Sequence, residues 1–438
     1  MGKSYTAVIQ AGGRGTRIRE ITKEQIPKPM LLLNGKPMLQ WQIENTVKYG
    51  IREFVIIIGY LGEKIKEYFG DGTDFGVHIS YIEEEEPLGS AGALYFLKER
   101  LHTEDFLLIF GDVMFDLCWD RMAAFHEGHG GKATLLVHPN AHPFDSDLLI
   151  INEEQQVTGI HSKNHERSDW YDNCVNAGIY ILSRSIAESL EKPQKMDLEK
   201  DILAPLMAEG EVYGYHTSEY VKDAGTPERF QRAALEQAAG IWEEKCLDKK
   251  QKCIFLDRDG TINQFRGLIS NEKDFELEEK AAEAVKMINE SGFLAIVVTN
   301  QPVVARGMCG MDDVKQIHKK MQTLLGKKGA YLDDIVFCPH HPDKGYPEEN
   351  AKYKIPCRCR KPATGMIDDM IKKYNIDTAS SYMVGDSTVD VQTGILAGMK
   401  TVLLKTGQAG QDGKFDVTPD TVKEDLKSAV EYILQRGR

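Results

Sequence analysis

The stretch Cys253 to Asn263, CIFLDRDGTIN, constrains this chain more than any other. Four residues suited to a buried strand, Cys253-Ile254-Phe255-Leu256, run into two aspartates spaced two apart and then Gly-Thr. Side chains at i and i+2 beyond a strand's carboxyl end can face one way. Asp257 and Asp259 can therefore share one divalent cation and one substrate phosphate. Everything before this motif must be explained without it, and everything after it should supply its partners.

A chain of 438 residues exceeds one ordinary domain, and about 150 residues per domain implies two or three. Hydrophobic residues at 42% and charged residues at 28% are globular proportions, so no fibrous or disordered class is needed. The formal net charge of -13, with no cluster of Lys and Arg, argues against a nucleic-acid partner; anionic substrates must be held by local basic residues. The longest apolar runs, such as Phe54 to Ile58 and Phe293 to Thr299, are strand-length and predict no membrane partner. The start, MGKSYTAVIQAGG, lacks the apolar core of a signal peptide, so a cytoplasmic location is expected. Met1-Gly2 with Thr6 fits the loose N-myristoylation pattern, but Thr6 to Ile9 read as the first strand and acylation is set aside. Eight cysteines point to a reducing compartment rather than a disulfide framework, and Cys118, Cys174, Cys246, Cys253 and Cys309 read as small buried apolar residues.

In the first half, a strand from Tyr5 to Ile9 leads into Gln10-Ala11-Gly12-Gly13-Arg14-Gly15-Thr16-Arg17, followed by a helical pattern and then Pro27-Lys28-Pro29-Met30. Three glycines within four residues leave backbone N–H groups free to meet phosphate oxygens, with arginines beside them. No Lys-Ser/Thr closes a Walker loop and no third glycine completes the dinucleotide spacing. Taken with Asn34-Gly35-Lys36-Pro37-Met38, Leu88 to Leu94, Gly111-Asp112, Asn176-Ala177-Gly178-Ile179-Tyr180 and Asp223 to Glu228, this half resembles the nucleotide-sugar pyrophosphorylases over about residues 1–238.

That resemblance implies attack by a sugar 1-phosphate oxygen on the α-phosphorus of a nucleoside triphosphate, with GTP implied by family context. Arg17 and Lys28 would neutralise the phosphates, and Asp112 and Asp223 would hold Mg²⁺. Gly12, Gly13, Arg14, Gly15 and Thr16, with Gly89 and Asp112, would bind the nucleotide. Asn176, Gly178 and Lys163, which follows the strand Val157 to His161, would bind the sugar phosphate. The usual acidic residue before this lysine is here Ser162, and Glu20-Ile21-Thr22 replaces the usual Pro-Leu-Thr. The acidic run Glu83 to Glu86 reads as a solvated face with no role.

After a helical stretch from Glu228 to Ala239, charge density rises and apolar periodicity fades, so residues 241–250 are expected to link a domain at 1–240 to one at 251–438. The second domain supplies what Asp257 needs. Phe293 to Val298 ends in Thr299-Asn300-Gln301, and Tyr382 to Val384 ends in Gly385-Asp386 and continues to Asp390. With Arg360-Lys361-Pro362, these resemble the four motifs of the haloacid-dehalogenase-type phosphatases, whose doubly wound sheet gathers them at one crevice. By that resemblance Asp257 is the nucleophile, Asp259 the acid and base, and Thr299 and Lys361 steady the phosphoryl oxygens. Mg²⁺ would lie between Asp257, the Asp259 main chain and Asp386.

Cys338-Pro339-His340, sixteen residues, then Cys357-Arg358-Cys359 offer three thiolates and an imidazole, a four-ligand tetrahedral set that suits structural Zn²⁺. A redox pair is the alternative, although Cys-x-Cys is not the usual redox spacing. A zinc loop narrows the likeness to a capless branch containing heptose-bisphosphate and histidinol phosphatases. Arg306-Gly307 and Gly267-Leu268-Ile269 look more like the heptose enzymes, whereas Pro302-Val303 replaces the common Ser-Gly; Asn300, Arg306 and Arg360 would contact substrate.

The expected fold is therefore α/β, with two Rossmann-like three-layer domains. The first has a GT-A-like mixed sheet and the second a capless, doubly wound one. The two likenesses interlock, because removing the distal phosphate of a heptose 1,7-bisphosphate yields a sugar 1-phosphate that the first half could join to GMP, giving GDP-heptose. A nucleotidyltransferase for mannose 1-phosphate and a histidinol-phosphatase-like second half are the alternatives. The expected partners are small molecules only; a homo-oligomer is compatible with the sequence.

Overall fold

A computed structural model describes residues 3–163, 167, 170–343 and 345–436; Met1 and Gly2, on which the acylation motif rests, lie outside the described residues. They pack as two compact units. The first comprises the chain up to Val137 with Leu149–Ile160 and Asn176–Cys246, and the second comprises His138–Leu148, His161–Val175 and the chain from Leu247 onward. The stretch 241–250, expected to be a linker, begins with a helix, Ile241–Lys245. Its Trp242 is 3% exposed, stacks on Tyr220 at 4.9 Å and meets Trp41 edge-on at 5.7 Å. Two apolar residues among charges give no readable period, but an indole buried this way is worth about 3–5 kcal/mol, enough to hold so short a helix.

The first unit is built on a mixed nine-stranded sheet. Its main path runs Val157–His161, Leu148–Ile151, Val175–Ser183, Asp105–Phe110, Thr6–Gln10, Glu53–Ile58 and His78–Glu83, with Ala133–His138 also pairing Val175–Ser183 and then Val212–His216. Thr6–Gln10 lies parallel to both neighbours, while Val175–Ser183 runs against Asp105–Phe110. Ile9, Ile56, Leu107 and Ile109 are fully buried, consistent with strands apolar on both faces and covered by helices. The register Gln10↔Phe110 sends Ala11 and Gly111 out of the sheet side by side, and the Gly111 N–H donates to the Gln10 carbonyl at 3.0 Å. The Gly-rich loop and Gly111-Asp112 therefore share one rim.

The second unit has a wholly parallel six-stranded sheet, in the order Asp334–Cys338, Phe293–Asn300, Lys252–Leu256, Tyr382–Gly385, Lys400–Leu404, Thr421–Lys423. The chain reverses its order at Lys252–Leu256, and in such sheets the crevice for a ligand opens beyond the strand ends at that reversal. Residues 253–256 and 294–298 are all buried, because helices cover both faces. Leu256 pairs with both Val297 and Val384, so Asp257, Thr299 and Asp386 leave the sheet on one rim. Among the described residues, no helix is long and apolar enough to cross a membrane.

Candidate functional sites

On the rim of the second sheet, the carboxylates of Asp257, Asp386 and Asp390 each bring an oxygen within 4.8 Å of the others. They are 9%, 1% and 1% exposed, which leaves almost no water to disperse their charge. Lys361, 5% exposed, sits among them, its Nζ donating to Asp257 Oδ1 at 2.8 Å and to Asp390 Oδ1 at 2.5 Å. Burial pushes the Asp257 carboxyl up to about 6 against the pull of Lys361, with Asp390 and Asp259 adding to the rise. Burial pushes Asp386 further, to about 8, helped by the charges of Asp257 and Asp390. Burial disfavours the Lys361 ammonium, yet Asp257 and Asp390 together hold its pKa above the ordinary lysine value. Three acidic groups against one ammonium leave an excess that a divalent cation would neutralise, and hard oxygen donors suit Mg²⁺.

Lys361 is placed by its neighbours. Asn300 Nδ2 donates to the Lys361 carbonyl and the Lys361 N–H donates to Asn300 Oδ1, both at 3.0 Å, which ties the end of Phe293–Asn300 to the segment carrying the ammonium. Asn300 thus acts here as a structural tie. Thr299, 1% exposed, is joined to Asp259 through Gln301, whose Nε2 donates to Thr299 Oγ1 at 3.0 Å and to Asp259 Oδ2 at 2.9 Å. Asp259 itself is held by other partners. The fully buried guanidinium of Arg258 donates to both its oxygens at 2.9 Å and Asn263 Nδ2 adds a further bond at 3.0 Å. The third carboxylate of the group is Asp390, a residue given no role from sequence; the part expected of Asp259 in metal binding is a main-chain one. Asp390 lies at the third position of helix Thr388–Leu396, where its Oδ2 also accepts from the Ser387 N–H and hydroxyl.

Beside this rim, Cys338, His340, Cys357 and Cys359 converge. The three Sγ–Sγ separations are 3.2, 3.2 and 3.5 Å, and His340 Nδ1 stands 3.3 Å from Cys359 Sγ and 3.7 Å from Cys338 Sγ. Thiolates about 2.3 Å from a tetrahedral ion lie ~3.8 Å apart, so modest outward movement would admit one. No disulfide joins any of the eight cysteines. Arg360, directly after Cys359, donates from Nη1 to the His340 carbonyl at 3.1 Å, and Arg306 lies over the Tyr346 ring at 4.4 Å.

In the first unit, Lys28, 9% exposed, donates to Asp112 Oδ2 at 2.7 Å. The pairing Asp223↔Val113 and a 2.8 Å bond from the Ala224 N–H to the Asp112 carbonyl bring the two aspartates to adjacent strand ends. Arg229 Nη1 donates to Asp223 Oδ2 at 2.5 Å, while Asp223 Oδ1 is buried with no hydrogen-bond partner among the described residues. A buried carboxylate oxygen without a donor fits a cation site. Gly15 takes φ +58, and a Cβ there would stand 3.1 Å from Lys28 Cβ, so the loop lies directly against the lysine. Gly12, Gly13, Arg14, Thr16 and Arg17 line the open part of this loop, with Arg14 5.9 Å from the Tyr60 ring. Gly89, at φ +78, is bridged to Met196, and its carbonyl accepts from Gln10 Nε2 at 3.1 Å.

The remaining expected residues are placed differently. Asn176 spends its amide within the fold, on Tyr180 Oη at 2.8 Å and Glu199 Oε1 at 3.0 Å, and its Oδ1 accepts from the Gly178 N–H. Lys163 belongs to the stretch grouped with the second unit and keeps company with Asp147, N–H to Oδ1 at 2.9 Å and Nζ 3.8 Å from Oδ2. One side chain that sequence reading dismissed does reach a site. Glu84 lies against the Gly-rich loop, where a Cβ on Gly12 would fall 2.5 Å from its Oε2, and its Oε1 accepts from the Leu88 N–H at 3.2 Å. Burial raises its pKa. Four glutamates in a row hide which one turns inward; the glycines facing them offered the clue.

Comparison with known proteins gives each unit its own relatives. Residues 6–240 match the family model described as nucleotidyl transferase, and residues 358–429 match one described as HAD-hydrolase-like. The chain is 39% identical over 185 residues to a D-glycero-beta-D-manno-heptose-1,7-bisphosphate 7-phosphatase from Haemophilus ducreyi, covering 42% of this chain and 98% of that one. It is 29% identical over 237 residues to a mannose-1-phosphate guanylyltransferase from Mycobacterium tuberculosis, covering 54% of this chain and 65% of that one, so it spans just under two thirds of that relative. The crystal structure of HddC from Yersinia pseudotuberculosis complexed with GMP-PN is also similar, at 25% identity and a TM-score of 0.45, over 53% of this chain and 99% of that one. Through residues 6–240 the chain belongs to the nucleotidyl transferase family and, through its second unit, to that of the heptose-1,7-bisphosphate 7-phosphatases.

Proposed function

We propose that the chain is a bifunctional enzyme that removes the 7-phosphate of D-glycero-D-manno-heptose 1,7-bisphosphate and joins the resulting heptose 1-phosphate to GMP from GTP, releasing pyrophosphate. The observation that carries this reading is the buried Asp257–Lys361–Asp390 contact beside Asp386, in a unit that matches a heptose-bisphosphate phosphatase over nearly its whole length.

Asp257 Oδ attacks the phosphorus, forming an aspartyl phosphate as the ester oxygen leaves. Lys361 Nζ, already 2.8 Å from Asp257 Oδ1, steadies the phosphoryl oxygens together with Thr299. Asp259 leaves the Arg258–Asn263–Gln301 cradle, gives a proton to the departing oxygen, then takes one from the water that cleaves the intermediate. In the first unit, Lys28 and Arg17 draw in the triphosphate and the Gly12–Gly15 backbone cradles it; the sugar 1-phosphate oxygen then displaces pyrophosphate from the α-phosphorus. Mg²⁺, held by Asp257, Asp386 and Asp390 in one unit and by Asp112 and Asp223 in the other, would offset the charge of the phosphates. Zn²⁺ suits the Cys338, His340, Cys357 and Cys359 set, whose four donors leave no open position and so give it a structural part. The free cysteines suit a cytoplasmic site of action.

Guanine follows the guanylyltransferase relatives, and the heptose acceptor follows from the phosphatase that precedes it. Mannose 1-phosphate is the second reading, favoured by the names of those relatives. Incubating the chain with synthetic heptose 1,7-bisphosphate, or with mannose 1-phosphate, and each nucleoside triphosphate decides between them by product mass. GDP-heptose from the bisphosphate is the expected product. GDP-mannose with no heptose product would overturn the first reading.

A further inference from the structure

The carboxylate of Asp386 is gripped by a loop that carries none of the phosphatase motifs, the one after strand Lys400–Leu404. The Gln408 N–H donates to Asp386 Oδ2 at 2.6 Å and the Gly410 N–H to the Asp386 carbonyl at 2.8 Å. Gly407 from this loop and Gly260 from the first motif, at φ +56 and +77, close on the same oxygen, and a Cβ on either would fall well inside van der Waals contact with Oδ2. Thr406 Oγ1 donates to the Gly260 carbonyl at 2.6 Å, which joins the two glycine turns. Farther along, Asp412 accepts from the Thr388 N–H and hydroxyl at 2.7 Å and the Phe415 N–H donates to Thr388 Oγ1, so the loop is also fastened to the helix that carries Asp390.

Resting on the phosphatase reading above, we infer that Thr406-Gly407-Gln408 is a positioning element for the metal-binding carboxylates. Asp386 must enter a crowded group of three acids with one chosen oxygen forward. The Gln408 amide occupies Oδ2, leaving Oδ1 for the cation, and the paired glycines form a slot that only a flat carboxylate fits. A hydrogen bond to the non-ligating oxygen of a carboxylate fixes its orientation, and losing such support costs about 10–100-fold in metal affinity.

The test is Mn²⁺ binding to the full chain, followed by electron paramagnetic resonance without substrate. An Asp223→Ala background confines binding to the phosphatase centre. Thr406→Val should weaken Mn²⁺ about tenfold and Gly407→Ala up to about a hundredfold, with the Mg²⁺ concentration for half-maximal phosphate release rising by the same factors. Thr406→Ser, which keeps the hydroxyl, should restore both. Unchanged metal affinity in Thr406→Val and Gly407→Ala, with the parent chain still binding Mn²⁺ and releasing phosphate, overturns the positioning role alone. A parent that neither binds the metal at this centre nor cleaves a sugar phosphate overturns the phosphatase reading, and this inference with it.

Discussion

The two centres solve the problem of holding phosphate in opposite ways. In the second unit the reactive groups are assembled beforehand and hidden, with Asp257, Lys361, Asp386 and Asp390 all under a tenth exposed. Among the charged side chains of the first unit's candidate site, Lys28 alone is that deeply set; Arg14, Thr16 and Arg17 stand in solvent, and Asp112 and Asp223 are occupied by Lys28 and Arg229. A phosphate ester is small enough to enter a finished pocket, where burial strengthens every charge contact. A triphosphate and a sugar phosphate must both enter and a nucleotide sugar must leave, so a rim that closes around its substrates is the better design. On the proposed reading, the difference in exposure follows the size of the substrates rather than the difficulty of the chemistry.

The contrast can be broken most severely by single side chains. Asp257→Asn should lower phosphate release by about 10³-fold or more, since it deletes the attacking group, while leaving nucleotide transfer from supplied sugar 1-phosphate unchanged in a coupled pyrophosphate assay. Lys28→Ala should do the reverse, by roughly 10²–10³-fold, the scale of one lost charge contact to a transferring phosphate. Cys357→Ser should remove bound zinc, measured by elemental analysis, and lower the melting temperature of the second unit only. Gly12→Ala pushes Glu84 out of the loop and should raise the KM for nucleotide about tenfold, a loss near 1.4 kcal/mol, with kcat little changed.

A last test sharpens the contrast through pH. Asp257 and Asp386 have folded values of about 6 and about 8, above the ordinary carboxylate range. The folded unit then holds more protons than the unfolded chain between about pH 4 and 8, so its stability falls as pH rises through that window. With chelator present, the melting temperature of the second unit should drop from pH 5 to pH 8, and added Mg²⁺ should flatten or reverse the slope.

Legibility followed the same divide. Asp257, Thr299 and Asp386 could be read because each stands at the end of an apolar run, and a strand end in a parallel sheet is a fixed address; Lys361, in the turn after Cys359, was legible only through its Arg-Lys-Pro motif. Asp390 was within the quoted motif yet given no role, since a carboxylate in a helix's first turn reads as a cap, which it also is. The cradle around Asp259 was hidden because Arg258 looks like a surface charge until its full burial is seen. Glu84, Gln408 and the helix at Trp242 escaped for a common reason. Each is set by a contact with a distant segment, to which local pattern is blind. The place of Lys163 depends likewise on Asp147, sixteen residues back, whereas Asn176 is held mostly by its own strand, through Gly178 and Tyr180.

Between the last sulfur, Cys359, and the ammonium-bearing Lys361 the chain has a span of two residues, no more than about 7 Å when fully extended. From the other side the paired amide bonds of Asn300 pin the same residue. So short a lever, fixed at both ends, has no slack to absorb a disturbance. On the proposed reading, a change in the four-donor knot would be felt two residues away, at the backbone that carries the ammonium, without any contact to the sugar.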